Sequence, residues 1–353
     1  MIPTEPIGSI PRPEKLIDAI KAFEAGNIQK EKLDEVYNLA TGDTIKHFEK
    51  TGSPVITDGE QSKPSFATYP IHGLKNLNRD GVVIAFADGH TRLLPTLTTR
   101  PFRYQTYADG YLEEAKRYTR TPVKQAVIAA SALSLLYPEK GIEGYPKEAF
   151  LDDLVNEAEI DIRRCLSKGA HKVQIDFTEG RLSVKLDPSK QLLSQFINLN
   201  NRVLERFSAE QRQYIGVHTC PGSDQDSTHS ADIDYAELLP SLFELKAGNF
   251  YIQLASEPNR CKVLEIIRRY AKADHRIFIG VIDPIDPNIE SAEEVRDRIL
   301  EAGEYIEPGR LGTTDDCGFS PFGDDISTAR DTAFEKIRAR VAGTKLASEK
   351  LGI

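Results

Sequence analysis

The chain has 353 residues, 40% hydrophobic and 28% charged, ordinary proportions for a globular protein with a large core. Its 45 basic and 54 acidic side chains give a net charge of −9, which argues against a nucleic-acid-binding surface. No long apolar run spans a membrane, Met1-Ile2-Pro3-Thr4-Glu5-Pro6 lacks signal-peptide character, and four cysteines are too few for a disulfide scaffold, so a cytoplasmic location is expected.

Apolar strand-like runs alternate with longer amphipathic stretches, the pattern of parallel α/β folds. In chain order the strand candidates begin with Ile7-Gly8-Ser9, Val55-Ile56-Thr57-Asp58, Ala126-Val127-Ile128-Ala129 and Val173-Gln174-Ile175-Asp176. Ile215-Gly216-Val217-His218, Phe250-Tyr251-Ile252-Gln253, Ile277-Phe278-Ile279-Gly280-Val281 and Arg310-Leu311-Gly312-Thr313 complete a set of eight. Helical stretches such as 151–168, 191–207 and 292–302 separate them. Eight such units predict one α/β domain, a (β/α)8 TIM barrel covering residues 1–353. Residues 61–120 are too long for a simple βα connection, and Val82 to Phe86 before Asp88-Gly89 reads as a hairpin. That segment is expected as an insertion after the second strand: a lid, a buttress or an oligomer contact. Nothing in the sequence decides for or against a homo-oligomer.

The active sites of such barrels lie at the C-terminal strand ends, where Glu60, Asp176, His218, Cys220, Gln253 and Cys317 would converge. Residues two apart on a strand share a face, so His218 and Cys220 can grip one ion together. One imidazole and two thiolates are a natural partial shell for zinc, with a position left for substrate. Against this, a His-x-Cys spacing arises by chance, and a cysteine before glycine is commonly a small buried residue. The polar loop from Pro221 to Ser230 follows directly, with Asp224, Asp226 and His229 as candidate pocket contacts.

Five motifs occur in order: Ile7-Gly8-Ser9-Ile10-Pro11-Arg12-Pro13, Thr57-Asp58-Gly59-Glu60-Gln61, Gln174-Ile175-Asp176, His218-Thr219-Cys220 and Asp316-Cys317-Gly318. Together they resemble the C-terminal catalytic barrel of cobalamin-independent methionine synthase and its single-barrel relatives, over nearly the whole chain. The resemblance implies a zinc cofactor held by His218, Cys220 and Cys317. The family's glutamate ligand falls on Gln253, a neutral amide, with Glu257 as an alternative and a three-ligand site with water as another. It implies homocysteine contacts at Ser9, Glu60 and Asp176. The family's histidine after the seventh strand is replaced by Ile285, leaving Asp283 and Asp286 as the nearby catalytic acids. The chain also has no tryptophan, which the family stacks against folate. Both departures count against methyltetrahydrofolate as the donor.

The chemistry the resemblance implies is alkylation of a thiol by a methyl or alkyl donor, with homocysteine as the leading acceptor. An epoxyalkane:coenzyme M transferase-like reaction stays open, with Arg100, Arg103, Arg181 or Lys185 holding a sulfonate. So do a metal-free uroporphyrinogen decarboxylase-like barrel and a non-enzymatic binding protein, since fold alone does not choose among them.

Overall fold

The computed structural model describes residues 1–353. The first two barrel strands are reduced to single bridges: β1 at Thr4, paired with Thr313, and β2 at Ile56, paired with Val123. Six full parallel strands follow: β3 (Gln125–Ile128), β4 (Val173–Asp176), β5 (Ile215–Thr219), β6 (Asn249–Ile252), β7 (Arg276–Ile282) and β8 (Leu311–Asp315), each hydrogen-bonded to the next. The circle closes where Thr313 N donates to Pro3 O at 2.9 Å and Glu5 N to Thr313 O at 3.0 Å. Ile56 N donates to Pro122 O at 3.0 Å, and Ile10 N to Gly59 O at 3.0 Å, which joins β1 to β2 beyond their bridges. This is a (β/α)8 barrel.

The expected first strand is displaced. Strand pairing falls at Thr4, not at Ile7-Gly8-Ser9, because Pro3 and Pro6 lack the N–H a longer ladder needs. Ile7 N instead donates to the Asp315 carboxylate at 3.3 Å. The other seven expected strands coincide with observed ones within a few residues. The helices Lys147–Ser167, Gln191–Leu204 and Ala292–Gly303 fall where amphipathic stretches stand, the last opened by a Ser291/Glu294 capping box.

Period-two alternation divides each strand between two environments. Val173, Ile175, Ile215, Val217, Phe250, Ile252, Ile277 and Ile279 join the main apolar cluster of 68 buried residues, between sheet and helices. The intervening residues face the barrel axis and are mostly not aliphatic: Gln174 and Asp176, Gly216 and His218, Tyr251, Phe278 and Gly280. Small residues there make room for large ones. A Cβ on Gly216 would lie 2.5 Å from the Tyr251 ring, and one on Gly312 would lie 2.4 Å from Phe278. A polar column also fills the axis: Tyr251 Oη donates to Glu5 at 2.6 Å, Lys124 Nζ to Gln174 at 2.7 Å and Gln174 Nε2 to Asp176 at 2.7 Å.

Within residues 61–120, Leu77–Ala85 and Thr91–Leu97 form the antiparallel hairpin. It is stitched to the loop after β5: Ala87 N donates to Thr228 O at 2.9 Å, and Arg92 pairs with Asp224 at 2.5 Å. At the opposite flank the C-terminal helix Arg330–Leu351 is pinned to β8 by Arg340 and Asp315, paired at 2.6 Å and both buried. Removing one partner strands a buried charge, which costs about 3–5 kcal/mol. Arg340→Ala should lower stability by that order in chemical or thermal unfolding. A change under about 1 kcal/mol would show that water reaches Asp315.

Candidate active site

The strand register places the rim residues side by side. Asp176 on β4 is the register partner of His218 on β5, and His218 of Tyr251 on β6. Extending that register by two residues pairs Cys220 with Gln253, and Gln253 N approaches Thr219 O at 3.5 Å. Cys317 arrives from beyond β8. Its sulfur lies 3.1 Å from that of Cys220, and the donor atoms of His218, Cys220 and Cys317 all fall within 4.8 Å of one another.

This triangle fits a zinc ion. All three residues are buried, and both ring nitrogens of His218 lack any hydrogen-bond partner, an arrangement expensive unless something else engages them. The sulfurs stand somewhat closer than the roughly 3.8 Å edge of a tetrahedral zinc–thiolate pair, so a small opening suffices. At 3.1 Å two sulfurs cannot both be anionic without a cation between them. Burial acts to raise Cys220, but the hydrogen bond from Cys317 and the nearby imidazole hold it well below the usual thiol range. Cys317 is correspondingly held well above it by its bond to Cys220 and by burial.

Asp316 braces this corner. Its carboxylate accepts from the backbone N–H groups of Leu254, Ala255 and Ser256 at 2.8, 2.9 and 2.7 Å and from Ser256 Oγ at 2.7 Å. Burial and the charge of Asp283 push it up to about 7, against those four donors. Gln253 directly precedes the clamped loop. Its Nε2 donates to Ser256 Oγ at 2.7 Å and to Glu257 at 3.1 Å, so Oε1 is the end the protein leaves unengaged. Glu257, the alternative fourth ligand, is paired with buried Arg181 at 2.6 Å and is not free to reach a metal.

Ser9, Glu60 and Asp176 all line one cavity with His218 and Cys317. Ser9 Oγ accepts from Ser320 N at 3.1 Å, beside Cys317-Gly318. Glu60 adopts a left-handed φ of 55°, a strained setting for a residue other than glycine. It is held there by Asp58, which accepts from Glu60 N at 3.1 Å, and by Arg12, which donates to Glu60 O at 2.8 Å. Arg12 also donates to Lys63 O and Phe322 O, tying the loops after β2 and β8 together. The Glu60 carboxylate is ion-paired with buried Lys63 at 2.9 Å, a partner the sequence reading missed.

Asp283 and Asp286 do not join the site. Asp283 accepts from Ile285 N at 3.0 Å and exposed Asp286 from Asn288 N at 2.9 Å, turn-forming bonds, and neither lines the cavity. The catalytic role expected of them has no geometric support. Nor do the candidate sulfonate cations stand free: Arg103 pairs with Asp153 at 2.6 Å, Lys185 with Asp232 at 3.0 Å and Arg181 with Glu257. Arg100 is exposed and does not line the cavity. Of the loop candidates, His229 lines the cavity, Asp224 is the buried partner of Arg92, and Asp226 is exposed.

The cavity encloses about 100 Å³, and half of its 28 lining residues are hydrophobic. The hairpin supplies Ile84, Phe86, Leu93 and Leu94, and Phe66 meets Phe322 edge-on across its wall at 5.6 Å. Two charged residues here escaped the sequence reading. Arg92 lies inside a hairpin, where it reads as a solvated strand residue. Glu179 opens the helix Glu179–Leu186, where an acidic residue reads as an ordinary complement to the helix dipole.

A buried His/Cys/Cys donor set at the C-terminal mouth of a parallel barrel, beside carboxylates and an apolar-walled cavity, defines a barrel enzyme with a metal-type site for sulfur chemistry. Residues 2–330 match the family model of the cobalamin-independent synthase catalytic domain, and the chain belongs to that family of methyltransferases. A methionine synthase of Saccharolobus islandicus is 26% identical over 99% of this chain and 96% of its own length. One of Pyrococcus furiosus is 24% identical over 90% of this chain and 86% of its own. The solved structure of a B12-independent methionine synthase from Shewanella sp. W3-18-1, in complex with selenomethionine, superimposes with a TM-score of 0.78 at 19% identity, covering 99% of both chains. No helix is long and apolar enough to cross a membrane.

A Cβ on Gly318 would stand 2.1 Å from Ser9 Oγ. Gly318→Ala should therefore lower stability by about 1–3 kcal/mol through overpacking. Adding Ser9→Ala should recover part of that loss in an unfolding double-mutant cycle. Strictly additive effects would mean that the two loops separate without cost.

Proposed function

We propose that the protein methylates the sulfur of homocysteine to give methionine, using zinc held by His218, Cys220 and Cys317, with the Gln253 carbonyl oxygen as a fourth donor. The observation that carries this reading is the buried imidazole with two unpartnered nitrogens beside two buried sulfurs. When bound, zinc supplies a Lewis acid that lowers the pKa of the substrate thiol. The chain's own residues do the rest. Asp176 and Glu60 take the substrate ammonium, and Ser9 with neighbouring amides takes its carboxylate. Glu60 does so from within its pair with Lys63, so Asp176 is the stronger discriminator of an amine. The apolar walls keep water from the nucleophile, and the hairpin 77–97 serves as the lid over the second substrate. An amide where the family has a carboxylate leaves one negative charge fewer around the metal. The substrate sulfur would then be less nucleophilic, and the donor would need activation at the atom that releases its methyl group. The epoxide-opening alternative is weaker because the cations it needs are already paired.

Cys220→Ser and Cys317→Ser should each abolish stoichiometric zinc while circular dichroism stays unchanged, because the large core folds without the metal. Full zinc content in both variants would defeat the metal assignment. Asp176→Asn should weaken homocysteine binding by about tenfold or more, as expected for a lost charge-assisted hydrogen bond, and should spare thiols that lack an amino group. Equal losses for both kinds of thiol, measured by calorimetry, would make Asp176 structural. Glu257→Gln should keep zinc bound, since Glu257 faces Arg181. Loss of zinc in that variant would place Glu257, not Gln253, in the shell.

A further inference from the structure

Transfer of an alkyl group to sulfur leaves an electron pair on the atom that releases the carbon. If that atom is a basic nitrogen or oxygen, a proton must reach it as the bond breaks. The titratable groups lining the cavity leave few ways to supply one. His218 and Cys317 belong to the donor set. Glu60 is paired with Lys63 at 2.9 Å, and Asp176, which accepts from Gln174 at 2.7 Å, is needed as the anion facing the substrate ammonium. Arg92 is held by Asp224 and Asp324 and keeps its proton at any working pH. His229 is pulled down to about 4 by burial and by the Lys185 and Arg181 charges, so it is neutral and has no spare acidic proton.

Glu179 is different. It lies three residues beyond Asp176, lines the same cavity and is 5% exposed. One carboxyl oxygen, Oε1, accepts from Ser131 Oγ, which Asn200 Nδ2 supports at 2.7 Å. The other, Oε2, is buried with no hydrogen-bond partner. A carboxylate anion left half unpartnered in an apolar wall is costly; a carboxylic acid there is not. Burial and the nearby Asp176 charge accordingly push the group up to about 8, against the pull of its Ser131 bond and of the backbone N–H groups of Glu179 and Ala132. No cation is paired with it.

We propose that Glu179 is the general acid of the reaction and protonates the atom that releases the methyl or alkyl group. This rests on the thiol-alkylation reading above. The substrate thiol releases its proton to solvent, and its sulfur attacks the donor carbon. The carbon–sulfur bond forms as the carbon–nitrogen or carbon–oxygen bond breaks. The departing atom keeps the electron pair and takes the Glu179 carboxyl proton, and Glu179 is reprotonated from water. Ser131 and Asn200 are positioning residues: they hold Oε1 and so turn Oε2 away from themselves.

The test compares wild type and Glu179→Gln, which keeps an acceptor for Ser131, with two methyl donors and homocysteine. With 5-methyltetrahydrofolate, whose leaving nitrogen needs a proton, the variant should lose about 100-fold or more in kcat. The wild-type rate should fall above about pH 8, where Glu179 ionises, and that alkaline limb should vanish in the variant. With methyl iodide, whose leaving iodide needs no proton, the two proteins should react equally and without that limb. Equal losses with both donors, or an alkaline limb that survives in the variant, would overturn the assignment. So would a wild type that uses methyl iodide but neither 5-methyltetrahydrofolate nor an epoxide. An infrared difference spectrum between the two proteins at pH 6.5 should contain a protonated-carboxyl band, and its absence would also overturn it. If wild type alkylates homocysteine with no donor, methyl iodide included, the thiol-alkylation reading falls, and the acid role of Glu179 falls with it.

Discussion

One carboxylate holds the two halves of the site in register. Asp316 accepts four hydrogen bonds from residues 254–256 while its chain neighbour is Cys317. The loop that follows Gln253 is thus clamped to the strand end that delivers the second sulfur. Without that clamp the donors on β5 and β6 are ordered by the sheet ladder alone, and Cys317 hangs from an irregular segment. The Ser9–Gly318 contact and the Arg12 bonds to both flanking loops fix the same segment from the opposite side. The triangle of His218, Cys220 and Cys317 is therefore largely preorganised by groups outside it, as a metal site requires.

The same arrangement sets the electrostatics. The barrel axis is lined with polar and ionisable groups, from Glu5 through Lys124 and Gln174 to Asp176, and burial brings Lys124 down to about 7. Above that column the cavity turns apolar, walled by the hairpin and by the loop carrying Phe322. A nucleophile placed between the two zones is anchored by carboxylates on one side and shielded from water on the other. Under the proposed function, that division would put the amino-acid end of the thiol at the polar floor and the donor under the apolar roof.

Much of this was legible in the sequence because it depends on short-range periodicity. Two-residue alternation along β4 and β5 puts Asp176, His218 and Cys220 on the axial face whatever the helices do. The hairpin and the long helices announce themselves by composition and caps. Harder to read were features set by tertiary pairing. The first strand shrank to Thr4 because flanking prolines limit the ladder. Lys63 and Arg12 became buried partners of the Glu60 loop, and Asp283 and Asp286 closed turns instead of facing substrate. Asp316 was visible as part of a motif, but its four hydrogen-bond donors, three backbone N–H groups and the Ser256 hydroxyl, lie some sixty residues away and have no sequence signature. Glu179 was hidden for the opposite reason: a glutamate at a helix start has an ordinary explanation, and only the cavity shows that its surroundings are apolar.

The central claim is that three buried side chains hold zinc with a position left for the substrate sulfur. X-ray absorption at the zinc edge of the loaded protein tests it most directly, with and without homocysteine. The account predicts two sulfur and two nitrogen or oxygen scatterers in the absence of homocysteine. A third sulfur should replace or join the lighter atoms once the thiol is added. A first shell with fewer than two sulfurs, or one that does not change with homocysteine, would contradict it.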